Sequence, residues 1–297
     1  MAPDITVGVR SGDTPPAMRR QLITHPPDIL ITTPESLFLM LTSAARETLT
    51  GVSTVIADEV HAVAATKRGA HLAVSLERLD ALLDRPAQRI GLSATVRPAE
   101  EVGRFLTGGR PVRIVAPPAA KTFDLAVQVP GPDMTDLAEN TSWPDVENRI
   151  VDLIDAHTAT IVFTNSRRLA ERLTARLNEI HAERTESDDQ VARAHHGSMS
   201  KEQRAAVEDD LKSGRLKAVV ATSSLELGID MGAVDLVVQV ETPPSVASGL
   251  QRVGRAGHQV GEISRGVLLP KHRTDLIGCA VSVRRMLAGQ IEAITVP

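Results

Sequence analysis

Short, continuous apolar runs alternate along this chain with longer stretches that carry an apolar residue every three or four positions. The strand candidates are residues 28–32, 52–57, 89–92, 160–163, 217–222, 235–240 and 266–269. Most of these runs do not alternate apolar with polar residues, as expected for strands that are covered on both faces. Between them, Leu169, Leu173 and Leu177 mark one face of a helix. This order predicts an α/β fold of parallel sheets with helices on both faces.

One change in composition divides the chain. Residues 107–121 contain two adjacent glycines and three prolines, and they interrupt both periodicities. We therefore place a domain boundary near Pro118, with a first domain of residues 1–118 and a second of residues 119–297. A chain of 297 residues is long enough for two domains, taking about 150 residues for each.

Composition restricts the possible functions. The net charge of −4 argues against a protein whose whole surface attracts nucleic acid, although it permits one local groove. Aromatic residues make up 2% of the chain, so stacking on bases cannot be the main mode of nucleic-acid binding. Cys279 is the single cysteine, which excludes intrachain disulfides and favours a reducing, cytoplasmic setting. The sequence shows neither a secretory signal nor an apolar run of about 20 residues, so we expect no membrane partner.

The segment VIADEVH, residues 55–61, carries the first sign of chemistry. An apolar strand delivers Asp58 and Glu59 to its carboxyl end, where open α/β sheets bind their ligands. In phosphoryl transfer one such carboxylate can hold Mg²⁺ while the other polarises the attacking water. Taken alone, the pair also fits a solvated loop or a helix cap.

The segment QRVGRAGH, residues 251–258, places Arg252 and Arg255 three positions apart, on one face of a predicted helix. Two such arginines can reach the γ-phosphate of a nucleotide as arginine fingers. The alternative is a pair of surface arginines in salt bridges.

The whole set of motifs resembles the superfamily-two helicases, in family order. The segments are TTPESL (32–37), DEVH (58–61), SAT (93–95), IVFTNSR (161–167), ATSSLELGID (221–230) and QRVGRAGH (251–258). Finer details resemble the Lhr (large helicase-related) subfamily: KRGAH at 67–71, the doubled serine at 223–224 and HQVGEISRG at 258–266. The Ski-type RNA helicases share the general layout and are the alternative.

The resemblance implies two RecA-like parallel-sheet domains in tandem that bind ATP and Mg²⁺. Asp58 would coordinate the metal ion and Glu59 would act as the catalytic base. The residues implied to contact ATP or its Mg²⁺ are Asp58, Glu59, Asp230, Arg252 and Arg255. Those implied to couple the nucleotide to the second domain are Ser93, Ala94 and Thr95, with His61 and Gln251 facing each other across the interdomain cleft.

The implied partner is single-stranded or partly duplex nucleic acid, with DNA favoured over RNA. The residues implied to contact its backbone are Thr33, Pro34 and Glu35 in the first domain and Thr164, Asn165, Ser166, Arg167 and Thr222 in the second. Contacts to phosphates and sugars do not depend on base sequence, which suits a protein that moves along a strand. The implied activity is that of an ATP-dependent helicase or translocase.

One departure from the family pattern stands out. The phosphate-binding loop G-x-x-x-x-G-K-[ST] occurs nowhere in the 297 residues. We therefore expect an N-terminally truncated fragment whose first RecA-like domain is incomplete, exposes an apolar sheet face or edge, and is inactive as an ATPase by itself. The alternative is a non-catalytic nucleic-acid-binding or interaction module that retains the helicase fold.

Overall fold

The chain forms two compact units. The computed structural model describes residues 4–94, 96–117, 121–131, 143–187, 189–227, 232, 234–257 and 261–296. Met1–Ala116 and Ala293–Pro297 form the first unit, and Pro117–Glu292 the second. The predicted boundary lies near Pro118, a residue outside the described ranges. The prediction does not include the return of residues 293–297 to the first unit. In the returning segment the Ile294 amide donates to the Arg97 carbonyl at 2.6 Å.

The first unit holds short parallel strands and helices. In chain order they are β1 (Val7–Arg10), α1 (Pro16–Thr24), β2 (Ile29–Thr32), α2 (Pro34–Leu41), a 3₁₀ turn (Ala44–Leu49), β3 (Thr54–Ala57), α3 (Val60–Ala64), α4 (Lys67–Asp80), β4 (Gln88–Gly91) and α5 (Ala99–Thr107). Strand β1 pairs in parallel with β2, and β3 pairs in parallel with β4. Each pair is a separate two-stranded sheet.

One face of these small sheets is covered by helices. Leu30 of β2 and Val55 of β3 pack against a buried cluster from α2 and α4 that includes Leu37, Met40 and Leu76. Alternate residues of a strand point to opposite faces. The apolar residues of the opposite face are accordingly exposed: Val7, Val9, Ile29, Ile31 and Ile56 are each between 49% and 62% accessible. The prediction that the first unit exposes an apolar sheet face is confirmed.

The second unit is built on one parallel sheet. Its elements are β5 (Thr122–Val127), α6 (Trp143–Asp155), β6 (Thr160–Phe163), α7 (Arg167–Thr185), β7 (Ala192–His195), α8 (Lys201–Lys212), β8 (Ala218–Ala221), a 3₁₀ turn (Ser223–Leu225), β9 (Leu236–Val240), α9 (Val246–Val253), β10 (Ile263–Leu269) and α10 (Arg273–Leu287). The six strands are ordered β5–β10–β9–β6–β8–β7, and every pair is parallel. The predicted α/β class is confirmed. No helix in the described ranges is long and apolar enough to span a membrane.

The sheet of the second unit is covered on both faces. Every residue of β6, β8 and β9 is buried, and alternate residues contribute to two separate apolar clusters. Val162 and Val220 lie in one cluster, whereas Ile161 and Val219 lie in the other. Because the strands are parallel, their carboxyl ends all lie along the same side of the sheet, which we call its carboxyl edge. The loops that begin at Thr164, Thr222 and Glu241 therefore share this edge.

Gly69 in the KRGAH segment allows α4 to begin close to the preceding helix. Its amide donates to the Thr66 side chain at 3.1 Å, and a Cβ there would lie 2.1 Å from the Val63 carbonyl oxygen. We expect Gly69→Ala to destabilise the chain by about 1–3 kcal/mol or more, as an overpacked site that meets backbone. Urea unfolding measures the loss. Gly51→Ala is the matched control, because among the described residues no atom beyond its chain neighbours lies within 4 Å of the added Cβ. Equal losses in the two variants would contradict this explanation.

Candidate functional site

The DEVH segment lies at the carboxyl end of β3. Glu59 has a left-handed backbone (φ 48°) and precedes the first residue of α3. The Asp58 carboxylate accepts a hydrogen bond from the Glu59 amide at 2.9 Å, and the Val60 amide donates to the Leu92 carbonyl at 3.0 Å. Asp58 is exposed and Glu59 is half-buried. The sharp turn thus holds both carboxylates at the sheet edge where parallel strands bind ligands.

His61 joins the DEVH segment to the SAT segment. The Ala94 amide donates to His61 Nδ1 at 3.2 Å, and the Ser93 hydroxyl lies 3.2 Å from the same atom. Residues 93–94 follow β4, which pairs with β3, so two segments far apart in sequence meet through one imidazole. The third member of the motif, Thr95, lies outside the described residues.

The environment of His61 favours the neutral imidazole. Since Nδ1 accepts the Ala94 amide proton, the ring proton lies on Nε2. Burial lowers the pKa of His61 from its ordinary value of 6.5, although the Glu59 and Asp58 carboxylates act to raise it. Glu59 Oε2 is 3.5 Å from Nδ1, and this contact is an ion pair only when the ring is protonated.

We expect the NMR titration of His61 to have its midpoint below pH 6.5. A pKa that is lower in the folded than in the unfolded chain stabilises the fold above the unfolded pKa. That contribution is lost as the pH falls through about 6.5 toward the folded value. The signal that disappears in His61→Gln identifies the resonance. A midpoint above 6.5 would mean that the two carboxylates outweigh burial.

The TTPESL segment begins α2. The Thr33 side chain accepts the Ser36 amide at 3.3 Å as an N-cap, and Pro34 occupies the first turn. Glu35 pairs with Arg68 of α4 through two contacts of 2.6 and 3.1 Å. The Arg68 hydrogen bond lowers the Glu35 pKa to about 2. The Glu35 carboxylate is thus ionised and paired with Arg68, a residue that the sequence did not place in the site, so Arg68 balances the negative charge of this loop.

The loop after β6 is fixed by its own polar side chains. Thr164 is buried, and its hydroxyl donates to the Ser166 carbonyl at 3.1 Å. Ser166 caps α7 by accepting the Leu169 amide. The exposed Arg167 donates to the Ser198 hydroxyl at 2.6 Å. The loop therefore has a preformed shape and presents an arginine at the sheet edge.

Two further predicted contacts lie near this edge. The Thr222 amide, which follows β8, donates to the His195 carbonyl at 3.3 Å. The Asn165 amide group donates to the Thr242 carbonyl at 2.9 Å, so this side chain is held within its own unit. Asp230, the other residue predicted in this region, lies outside the described residues.

Arg252 does not occupy the position that its sequence motif predicts. Its side chain is only 2% exposed, and its guanidinium bonds Glu226, Asn165 and Gln239 at 2.5–3.0 Å. A buried group with these partners is not available to a nucleotide. The predicted contact between Arg252 and a γ-phosphate is therefore corrected: this arginine braces the inside of the second unit.

Arg255 has a different environment. Helix α9 ends at Val253, so Arg252 and Arg255 do not lie on one continuous helix face as predicted. Arg255 is half-buried, and its Nη2 donates to the Glu226 backbone carbonyl at 2.7 Å. Gln251 is half-buried on α9. Glu226, which contacts both arginines, was not singled out from the sequence. The signal available was its acidic side chain inside the ATSSLELGID motif.

The residues present fit a magnesium ion that is held mainly by a nucleotide. No group of three or more histidine, cysteine, aspartate and glutamate residues within the described ranges could hold a metal. Mg²⁺ commonly takes one or two protein carboxylates together with phosphate oxygens and water. The exposed Asp58 carboxylate at the end of β3 is a ligand of this kind.

Two family models match the chain. The DEAD/DEAH box helicase model matches residues 2–102, and the helicase conserved C-terminal domain model matches residues 145–259. With two units of parallel sheet and the motif loops at their carboxyl edges, the chain is a superfamily-two helicase core of the DEAD/DEAH-box class. Within that class it belongs to the Lhr family, as its similar proteins show.

The similar proteins are longer than this chain. It is 73% identical over 323 residues to an Lhr helicase of Mycolicibacterium smegmatis, covering 100% of this chain and 21% of that protein. It is 56% identical over 333 residues to the Escherichia coli Lhr helicase/uracil glycosylase, covering 99% and 22%. A solved structure of Mycobacterium smegmatis helicase Lhr bound to single-stranded DNA and AMP-PNP is 79% identical, with a TM-score of 0.93, and covers 100% and 39%. The chain thus spans about a fifth of the length of these two curated relatives.

Proposed function

We propose that this chain is the motor core of an ATP-dependent DNA helicase that acts in the cytoplasm. The observation that carries the proposal is the junction of exposed Asp58, half-buried Glu59 and His61 with Ser93 and Ala94 at one sheet edge. Carboxylates at the end of a strand serve phosphoryl transfer. The SAT segment after β4 bonds His61 and so contacts the loop that carries them. The relative whose structure contains AMP-PNP and single-stranded DNA supports ATP and DNA as the ligands.

The proposed roles at the nucleotide follow from charge and position. Asp58 holds Mg²⁺, which neutralises charge on the phosphates. Glu59 orients the attacking water, and Arg255 of the second unit stabilises charge that develops on the γ-phosphate. Asp230 and Gln251 remain proposed contacts on the evidence of their motifs. His61 and the SAT segment, including Thr95, couple hydrolysis to movement along a single strand.

The proposed DNA contacts are to the backbone of a single strand. Thr33, Pro34 and Glu35 lie at the start of α2 in the first unit, where Arg68 balances the charge of Glu35. In the second unit the loop at residues 164–167 and Thr222 lie at the carboxyl edge of the sheet. With aromatic residues at 2% of the chain, phosphate and sugar contacts dominate, so we expect affinity to fall steeply with salt.

A chimera tests this function. In it, the present chain replaces the matching segment of the Mycolicibacterium smegmatis helicase, to which it is 73% identical. We expect ATP hydrolysis that rises on addition of single-stranded DNA, and ATP-dependent separation of a partly duplex DNA. Hydrolysis stimulated by RNA but not by DNA would favour the Ski-type alternative. Nucleic-acid binding without any hydrolysis would favour a non-catalytic module.

A further inference from the structure

We propose that Glu226 is a positioning residue that connects the loop at residues 164–167 to Arg255 through the buried guanidinium of Arg252. The proposal rests on the proposed function in one respect, because it takes Arg255 as the group that serves ATP hydrolysis. All of its contacts lie within the second unit.

Arg252 is the buried centre of a polar cluster. Glu226 Oε1 accepts from its Nε at 2.6 Å and from its Nη2 at 2.5 Å. Its Nη1 donates to Asn165 Oδ1 at 3.0 Å and to Gln239 Oε1 at 2.8 Å. The guanidinium carbon lies 5.2 Å from the centre of the Phe163 ring. One side chain thus ties together the β6 loop, strand β9, the turn after β8 and helix α9.

The two amides in this cluster have fixed orientations. Gln239 Nε2 donates to the carbonyls of Val240 and Glu241 at 2.7 and 3.0 Å. Asn165 Nδ2 donates to the Thr242 carbonyl at 2.9 Å. Both amide oxygens must therefore point to Arg252, so every donor and acceptor in these contacts is matched. A displacement of Asn165 would break two hydrogen bonds at once.

Glu226 carries the connection onward to Arg255. Its carboxylate accepts from Arg252 and, at 3.0 Å, from the Ser248 hydroxyl. Its backbone carbonyl accepts from Arg255 Nη2 at 2.7 Å. The same residue therefore fixes one arginine through its side chain and the other through its backbone. The chain of contacts runs from Asn165 to Arg252, then to Glu226 and finally to Arg255.

A role in positioning explains why an ion pair lies here. Arg252 is buried and Glu226 is largely covered, so this pair loses much of the hydration of its charges, and well-packed apolar residues would stabilise the unit as well or better. The charged pair adds direction, since a guanidinium donates hydrogen bonds only in the plane of its fork. Loop 164–167, which we propose contacts DNA, is held by this fork. When this loop is ordered, the Glu226 carbonyl is held in position, and so is the Arg255 guanidinium that donates to it.

The first test measures ATP turnover in the chimera. Glu226→Gln keeps the size of the side chain and removes its charge. We expect DNA-stimulated kcat to fall on the order of 10-fold to 100-fold, the effect of misplacing a group that serves the reaction. Because Glu226 acts through Arg255, the double variant with Arg255→Ala should be no slower than Arg255→Ala alone. Losses that multiply would overturn the proposal.

The control is a second glutamate whose side chain contacts helix α9. Glu292 accepts the Val246 and Ala247 amides at the start of α9, whereas Glu226 accepts from Arg252 near its end. Glu292→Gln should leave DNA-stimulated kcat within about 3-fold, since loss of a cap destabilises a helix without moving its far end. An equal loss of kcat in both variants would show that Glu226 only stabilises α9. If Glu226→Gln does not fold, Ser248→Ala removes one donor to the same carboxylate and should give a smaller loss with the same dependence on Arg255.

The second test uses this chain alone and needs no activity. Backbone hydrogen exchange reports local opening. In Glu226→Gln we expect faster exchange both at the Leu169 amide, which Ser166 caps, and at the Arg255 amide, which bonds the Arg252 carbonyl. Unchanged exchange at Leu169 would overturn the connection. If exchange rises at both places but Arg255→Ala leaves hydrolysis in the chimera intact, the connection stands and the proposed role of Arg255 fails.

Discussion

Arg255→Ala in the chimera should lower DNA-stimulated ATP turnover by about 10³–10⁵, the typical cost of removing an arginine finger. The arginine meets the γ-phosphate mainly as charge develops in the transition state. Binding of ATP and of single-stranded DNA should therefore stay within about tenfold, or about 1.4 kcal/mol. Steady-state hydrolysis and equilibrium binding, measured on the same preparation, separate the two effects.

The control for Arg255 is Arg284→Ala. Arg284 lies exposed in the last turn of α10, where the loss of one charge should change turnover little. Near-normal hydrolysis by Arg255→Ala would show that this residue does not serve the reaction. A thermal unfolding profile that lost the transition of the second unit would show instead that Arg255 is structural.

In the second unit, the strands that the sequence predicts and those that it misses differ in their position in the sheet. The candidates at 160–163, 217–222 and 235–240 became β6, β8 and β9, which lie inside the six-stranded sheet. The strands β5 and β7 were not predicted, and they are its two edges. Strand β5 (TFDLAV) alternates exposed and half-buried residues and so is not a continuous apolar run. Strand β7 (ARAH) is mostly buried, but it contains Arg193 and His195, which have carboxylate partners in α8.

The candidate site was predictable where one short segment forms it. The strand-to-loop position of Asp58 and Glu59 follows from an apolar run that ends in carboxylates. The role of Arg252 depends instead on partners 13 to 87 positions away in sequence. A spacing of three between arginines predicts a shared helix face. It cannot show that the helix ends between them, which is why one arginine is buried and the other is half-exposed.

The pairing of Glu35 with Arg68 was also beyond the sequence pattern. The two residues are 33 positions apart, on α2 and α4. Each helix can be predicted from its own residues, but the contact depends on how the helices pack. The consequence is functional, because Glu35 next to a phosphate would repel it, whereas Glu35 paired with Arg68 does not present an unbalanced negative charge.

This chain by itself should show no ATP turnover above background, with or without single-stranded DNA. Phosphoryl transfer is catalysed almost entirely by positioning and electrostatic stabilisation. Asp58, Glu59 and Arg255 supply part of both, but the amides and lysine of G-x-x-x-x-G-K-[ST], which cradle the β- and γ-phosphates, are absent from its 297 residues. The chimera is the matched control and should hydrolyse ATP under the same conditions. Turnover by this chain that rises with DNA and disappears in Glu59→Gln would contradict the prediction, since it would mean that other residues of the chain grip the phosphates.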